Sequence, residues 1–273
     1  MRLLFLGDVV GKAGRNAVLD QLPRLRDRYN LDFVIVNGEN AAAGFGITED
    51  ICNKILDAGA DVITTGNHVW DQRETLVFIE RQPRLLRPLN FPIGAPGRGA
   101  GVFETKNGRE VLVINAMGRL FMKDLDCPFQ RLDEELSGNS VKETADAIFV
   151  DFHAEATSEK QAFGHYLDGR VTAVVGTHTH VPTSDCRVLD GGTGYMTDVG
   201  MCGDYNSVIG MEKTEPIHRF LNQIAFERFG PAKGEPTISG VAFDIDDETG
   251  LTRQIEPIRL SGRLAPTEPS FWV

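Results

Sequence analysis

The sequence is poor in positive charge, which argues against a general nucleic-acid binder. It has 28 lysine and arginine residues against 39 aspartate and glutamate residues, and its formal net charge is -11 at pH 7. Phosphate backbones are bound by surfaces rich in lysine and arginine, so we expect no stable nucleic-acid complex. A small anionic substrate stays compatible with this charge, because a bound metal ion can reverse the local field.

Cysteines and long apolar runs are also scarce. The four cysteines, at positions 52, 127, 186 and 202, form no CxxC motif and are typical of isolated reduced thiols. The N-terminal MRLLFLGDVVGK has five apolar residues before Gly7, too few for a signal-peptide core, and no later run reaches a membrane span. We therefore predict a cytoplasmic protein without a membrane-spanning segment.

Internal repeats, low-complexity stretches and linker-like shifts in composition are missing as well. A length of 273 residues suits one large domain or two small ones. In the absence of a linker we predict a single domain over residues 1–273.

What the sequence does contain is an alternation of strand and helix patterns. RLLFLGD, LDFVIVNGEN and DVITTGNHVWD are buried strands that break into glycine and polar residues. The helical stretches between them are GRNAVLDQLPRLRDRYN and ITEDICNKILDAGA, the second with Thr48 as its N-cap. This β-α-β-α-β order predicts a largely parallel or mixed sheet.

The remainder of the chain predicts further strands and one more helix. Hairpins are indicated around Asn107-Gly108 and in SGVAFDIDDETGLTRQIEPIRL, and DAIFVDFHAE and RVTAVVGTHTH are further strands. TEPIHRFLNQIAFERFG, residues 214–230, has the period of an amphipathic helix. We predict an α/β fold in which two mixed β-sheets pack as a sandwich flanked by helices.

Polar side chains stand where five of these strands end. They are Asp8, Glu39, Asn40, Asn67, His68, His153, His178 and His180. Each alone is ordinary: a strand-end aspartate is usually a turn or cap residue, and a lone histidine is usually structural. His178 and His180 alone support a metal site and a bystander role equally, although side chains two residues apart in an extended chain point the same way.

Taken together, these residues favour a metal site. In α/β sheets, sites gather at the carboxyl ends of strands. Oxygen and nitrogen donors without thiolate suit manganese, iron or zinc. The set is too large for one tetrahedral ion, but it fits two ions that share a bridging carboxylate and leave positions open for water and substrate.

The same residues carry a resemblance to a known family. GD (7–8), GEN (38–40), GNH (66–68), His153 and GTHTH (176–180) resemble, in order, the blocks of the calcineurin-like metallophosphoesterases. The sequence is more similar to the bacterial YmdB-type phosphodiesterases, whose GDVVG, NGEN, GNHxWD and TDVGMxG…SVIGM segments all occur here. The resemblance spans residue 3 to about residue 260.

The resemblance implies a four-layer α-β-β-α fold, two metal ions and a role for each site residue. The first ion would be held by Asp8, Asn40 and His180. The second would be held by Asn67, His153 and His178, and Glu39 would bridge the two. His68 would face the substrate as proton donor or electrostatic partner. Asp198 in TDVGM is either a residue that orients a ligand histidine or a turn residue.

Three departures from the broader superfamily bear on the metal. Val10 stands where a histidine usually follows the first aspartate, Glu39 replaces the bridging aspartate, and Asn40 takes the place of an imidazole. A site richer in oxygen favours iron or manganese over zinc. We therefore expect two divalent or mixed-valence ions per chain, iron or manganese.

These inferences predict a phosphodiesterase that acts on small phosphodiesters, with 2′,3′- and 3′,5′-cyclic nucleotides as the leading class. A hydroxide bridging the metals would attack phosphorus, with His68 as proton donor. Alternatives that stay open are a phosphomonoesterase and a nucleotide-sensing regulatory protein with slow or no turnover, whereas the full ligand set argues against a scaffold with one structural metal. A homo-oligomer is also compatible with the sequence.

Overall fold

The computed structural model describes residues 1–272. Within this range the strands are β1 (Arg2–Leu6), β2 (Asp8–Val9), β3 (Phe33–Asn37), β4 (Val62–Thr64), β5 (Ala100–Glu104), β6 (Glu110–Met117), β7 (Ala147–His153), β8 (Ala173–Thr177), β9 (Arg187–Val188), β10 (Gly194–Met196), β11 (Met201–Cys202), β12 (Ile238–Ile245) and β13 (Thr252–Leu260). The α-helices are α1 (Gly11–Tyr29), α2 (Glu49–Asp57), α3 (Thr75–Phe78), α4 (Pro128–Leu136), α5 (Thr157–Tyr166) and α6 (Thr214–Asn222). Short 3₁₀ helices lie at Ile79–Arg81 and Ser270–Trp272.

The strands form two large mixed sheets and one small one. The first sheet has the order β13-β12-β1-β3-β4, in which β1, β3 and β4 are parallel. The second sheet has the order β5-β6-β7-β8-β10-β9, in which β6, β7, β8 and β10 are parallel. The small sheet pairs β2 with β11 and places Asp8 beside Met201.

The uninterrupted apolar sequence of β1 is explained by burial on both faces of the strand. Leu4 and Leu6 pack with α1 and α2 in one core cluster, whereas Leu3 and Phe5 pack in another cluster that contains side chains from both large sheets. Successive side chains of a strand point to opposite faces, and both faces of β1 are covered.

Three hydrophobic core clusters hold the layers together. One joins helices α1 and α2 to the first sheet, one lies between strands of the two large sheets, and one joins helices α4 and α5 to the second sheet. Between the sheets, the rings of Phe5 and Phe149 stack at 5.3 Å. Against α5, the rings of Phe152 and Phe163 stack at 3.9 Å. The predicted mixed α/β fold is confirmed, and the exact stacking in four layers stays a prediction.

Several local predictions hold at the residue level. The Thr48 hydroxyl caps α2 by accepting a hydrogen bond of 3.3 Å from the Ile51 amide. The Asn107-Gly108 hairpin joins β5 and β6, with Gly108 in the left-handed region at φ 74°. No helix within residues 1–272 has both the length and the apolar character needed to cross a bilayer.

The helix predicted over residues 214–230 is shorter than expected. Helix α6 ends at Asn222, and Gln223 adopts a left-handed conformation with φ 57°. The carboxylate of Glu215 accepts hydrogen bonds from the amides of Phe226 (3.1 Å) and Glu227 (2.7 Å). These bonds hold the following segment back against the helix, so a tertiary contact overrides the helical period.

Candidate functional site

The structure brings all eight predicted site side chains into one cluster at the carboxyl ends of strands from both large sheets. Glu39, Asn40, Asn67 and His68 follow β3 and β4, and Asp8 follows β1. His153 ends β7, and His178 and His180 follow β8. Because β1, β3 and β4 are parallel, and β7 and β8 are parallel, the ends of each set meet at one edge of their sheet.

One half of the cluster is formed by Asp8, Asn40 and His180. Nε2 of His180 lies 3.2 Å from Oδ1 of Asn40 and 3.8 Å from Oδ1 of Asp8. The other ring nitrogen of His180 lies 2.8 Å from the Ile209 carbonyl. The Asn40 amide nitrogen donates to the Gly44 carbonyl at 2.9 Å. Both outer contacts orient a ligand atom towards the cluster.

The other half is formed by Asn67, His153 and His178. Nε2 of His153 lies 3.0 Å from Oδ1 of Asn67 and 3.1 Å from Nδ1 of His178. Nδ1 of His153 contacts the Thr177 hydroxyl at 2.9 Å. Gly66 leaves room for this ring, because a Cβ at position 66 would lie 2.2 Å from Cδ2 of His153. The glycine of the GNH block is therefore required by the histidine that packs on it.

Glu39 lies between the two halves. Its Oε1 accepts a hydrogen bond of 2.6 Å from the His68 amide and lies 3.5 Å from Nε2 of His153. Its Oε2 and the Oδ1 of Asp8 are buried without a hydrogen-bond partner among residues 1–272. A buried carboxylate oxygen without a partner is costly, and a cation is the partner that would satisfy it.

Burial also sets the protonation of these groups in the metal-free protein. It raises the pKa of Asp8 to about 8 and the pKa of Glu39 well above its usual range. It lowers the pKa of His178 to about 4 and the pKa of His153 well below its usual value. Neutral imidazoles are the form that binds metal ions.

The donor set therefore fits divalent metal ions by its chemistry, although it is not closed around a common point. Within residues 1–272, no three histidine, cysteine or acidic side chains are placed so that they could hold one ion. The donors instead contact one another, as the 3.1 Å approach of His153 and His178 shows. An ion would replace these mutual contacts.

These shifts predict how the stability of the metal-free protein depends on pH. Asp8, with a pKa of about 8, and buried Asp151, with a pKa raised by burial to about 7, both titrate near pH 3.8 when unfolded. From pH 6.5 to pH 8 the folded state therefore holds more protons, and its stability falls as pH rises. The lowered pKa values of the histidines affect stability only below about pH 6.5, where a histidine of the unfolded chain takes up a proton. Thermal unfolding of chelator-treated protein at several pH values between 6.5 and 8 measures this loss of stability. Asp8→Asn should make the loss smaller. A stability that rises between pH 6.5 and pH 8 would contradict the prediction.

Two further residues, Lys160 and Asp198, shape the loop that carries His178 and His180. Asp198 accepts hydrogen bonds from Lys160 Nζ (2.7 Å) and from the Thr179 amide (3.1 Å), and Lys160 also donates to the Thr177 carbonyl (2.8 Å). Asp198 thus holds the loop and does not contact either histidine ring directly. Lys160 was missed by sequence reasoning, because nothing in the α5 pattern marks this lysine as buried.

The loop is not extended, contrary to the expectation for the two histidines. His178 has φ 96° and His180 has φ 64°, both in the region that non-glycine residues rarely adopt. The contacts of Asp198 and Lys160 offset this backbone cost. The two rings reach the cluster through this turn and not through the alternation of a strand.

A cavity of about 640 Å³ opens over the cluster. Its polar floor is formed by Glu39, Asn40, His68, His178 and His180. The rest of its lining is mostly apolar and comes from Phe45 and from residues 208–229. This volume lies in the range of small-molecule sites.

Known proteins share this chain's sequence and fold over most of its length. A 2′,3′-cyclic-nucleotide 2′-phosphodiesterase from Bacillus subtilis is 51% identical over 261 residues, which cover 96% of this chain and 97% of the relative. A crystal structure of a hypothetical protein from Thermus thermophilus superposes with a TM-score of 0.88 at 44% identity, covering 96% of this chain and all of its own. A crystal structure described as a novel phosphatase from Mycoplasma pneumoniae has a TM-score of 0.86 at 39% identity, covering 96% of this chain and 93% of its own.

Fold, site and relatives together define the class of this protein, which is a phosphoric diester hydrolase. The family model described as YmdB-like protein matches residues 4–258, and the chain belongs to this family. The family implies divalent metal ions at the site.

Proposed function

We propose that this protein hydrolyses cyclic nucleotides, with 2′,3′-cyclic nucleotides first and 3′,5′-cyclic nucleotides as a further class. The observation that carries the proposal is a pair of buried carboxylate oxygens, on Asp8 and Glu39, that have no hydrogen-bond partner in the described part of the chain and lie beside three neutral imidazoles. The Bacillus subtilis relative, 51% identical, supports the choice of substrate.

The site would hold two metal ions, iron or manganese. Asp8, Asn40 and His180 would hold one ion, Asn67, His153 and His178 would hold the other, and Glu39 would contact both. Such ions neutralise charge on the phosphoryl oxygens and lower the pKa of water. The asparagine oxygens on each side of the cluster favour these harder metals over zinc.

His68 would act on the leaving oxygen. Its Nδ1 lies 2.7 Å from Oδ2 of Asp71, and the edge of its ring packs against Phe45 with the centroids 5.1 Å apart. These contacts fix the ring orientation and leave Nε2 for the substrate. The side chain is 28% exposed and lines the cavity, so it can give a proton to a departing alkoxide.

Assays on metal-loaded protein test this function. Purified protein supplied with manganese or iron is assayed on bis-p-nitrophenyl phosphate, p-nitrophenyl phosphate and 2′,3′- and 3′,5′-cyclic nucleotides. We expect turnover of the diesters that a chelator abolishes. Preferred turnover of the monoester would identify a phosphomonoesterase instead, and tight nucleotide binding without turnover would identify a regulatory protein.

Glu155 is expected to contribute to metal affinity through His178. Nε2 of His178 lies 3.2 Å from Oε2 of Glu155, while its Nδ1 faces His153. A carboxylate on the outer nitrogen orients a ligand histidine and makes it more basic, and its loss weakens metal binding by roughly 10–100-fold. We expect Glu155→Gln to weaken binding by about tenfold in competition with a chelator. Glu248→Gln, in an exposed hairpin turn, is the matched control, and equal affinity of the two variants would contradict the role.

We also propose that residues 1–273 form one domain whose layers are stacked in the order α-β-β-α. The three core clusters support this order, since one lies between the sheets and the other two lie under helices. A single cooperative unfolding transition in calorimetry is expected for one domain.

A further inference from the structure

One wall of the cavity is lined by large apolar side chains. This apolar wall consists of Phe45, Ile209, Met211, Phe220 and Phe229. Phe220 is 77% exposed and Ile209 is 53% exposed, whereas Met211 is buried. Exposed apolar side chains beside a polar site are typical of a binding surface.

The wall is held in place by charged groups behind it. Glu215, which folds the segment after α6 back on the helix, also accepts a hydrogen bond of 2.5 Å from Nε of Arg219. Arg219 in addition donates to the Glu227 carbonyl at 2.9 Å, and its guanidinium lies 3.9 Å over the ring of Phe229. The charge of Arg219 is thus paired with that of Glu215. The wall therefore presents apolar side chains held in fixed positions, and not an unpaired positive charge.

We propose that the apolar wall binds the base of the nucleotide whose phosphate lies over the polar floor, an inference that rests on the proposed function. The polar floor and the apolar wall face the same cavity, so one ligand can contact both. A nucleotide has this division, with an anionic phosphate at one end and a flat base at the other. Every base has a π-face, and stacking on aromatic rings tolerates all bases. The wall therefore favours nucleotides over diesters without a base, and it accepts all four bases.

Phe220 and Leu221 provide a matched pair of variants. The two are neighbours in α6 and each is 77% exposed, but Phe220 lines the cavity and Leu221 does not. We measure kcat/KM for the 2′,3′-cyclic nucleotides and for ribose 2′,3′-cyclic phosphate, which lacks a base. Phe220→Ala is expected to lower kcat/KM for the nucleotides by about tenfold more than for the ribose compound. Leu221→Ala should leave the ratio of the two substrates unchanged.

Two results would overturn the base-binding wall. One is an unchanged ratio of the two substrates in Phe220→Ala, and the other is a wild-type protein that hydrolyses both substrates equally well. A change in sedimentation of both variants with an unchanged substrate ratio would assign the surface to contact between copies instead.

A binding measurement separates failure of the wall from failure of the proposed function. If the wild type hydrolyses no diester, the proposed function fails. Equilibrium binding of adenosine 2′,3′-cyclic phosphate to metal-loaded protein then tests the wall alone. About tenfold weaker binding to Phe220→Ala than to Leu221→Ala supports the wall, and equal binding refutes it.

Discussion

Replacing His68 with alanine is expected to lower diester hydrolysis by about 10² to 10⁴ while the metal content stays at the wild-type level. The His68 ring contacts Asp71 and Phe45 and lines the cavity, and within residues 1–272 no hydrogen bond joins it to His153, His178 or His180. The link from His68 to Glu39 is its backbone amide, which alanine retains. Metal analysis by mass spectrometry and kcat on a cyclic nucleotide measure the two effects separately.

Asn67→Ala and His178→Ala are the contrasting variants. Each removes an atom within 3.1 Å of Nε2 of His153, so each should lower metal content and activity together. If the His68 variant lost its metals and Asn67→Ala kept both, His68 would be a metal ligand and Asn67 would not, contrary to this assignment. Circular dichroism of each variant shows whether the fold is preserved.

Replacing Glu39 with glutamine is expected to remove metal binding and lower activity by a factor on the order of 10³, yet to stabilise the metal-free protein. Glu39 is 1% exposed, and its Oε2 has no hydrogen-bond partner among residues 1–272. Its raised pKa means that at neutral pH the carboxyl group favours the unfolded state, where it ionises freely. Glutamine does not ionise, so this term is absent and we expect the variant to unfold at a higher urea concentration than the wild type without metal.

Urea unfolding with and without manganese measures the Glu39 prediction. The wild type should be more stable with metal, since a ligand that binds only the folded state adds stability. The unfolding free energy of the glutamine variant should not change when manganese is added. A variant that still loads metal and gains stability from it would contradict the bridging role.

The strands and the position of the site could be predicted because they depend on local pattern. The apolar runs of β1 and β3 end in Gly7-Asp8 and in Gly38-Glu39-Asn40, and burial on both faces of the sheet accounts for the runs. Parallel pairing then forces the residues that follow the strands to one edge. These two facts of chain geometry place the residues that follow the strands at one edge of each sheet.

The remaining features depend on contacts between distant residues, which local pattern does not contain. Helix α6 ends at Asn222, eight residues before the predicted end at residue 230, because Glu215 accepts hydrogen bonds from two amides of the following segment. The positive φ values of His178 and His180 depend on Asp198, some twenty residues further along. The burial of Lys160 depends on the same aspartate.

The contact between the His178 amide and Oδ2 of Asp8, 3.2 Å long, joins residues 170 positions apart. A ribosome makes Asp8 early and His178 only after strands β1 to β8 have been synthesised. The nascent chain therefore carries its first donors for most of synthesis without the histidines that complete the site. A site that needs both Asp8 and His178 can therefore be completed only late in synthesis, once the strands that position them have been made.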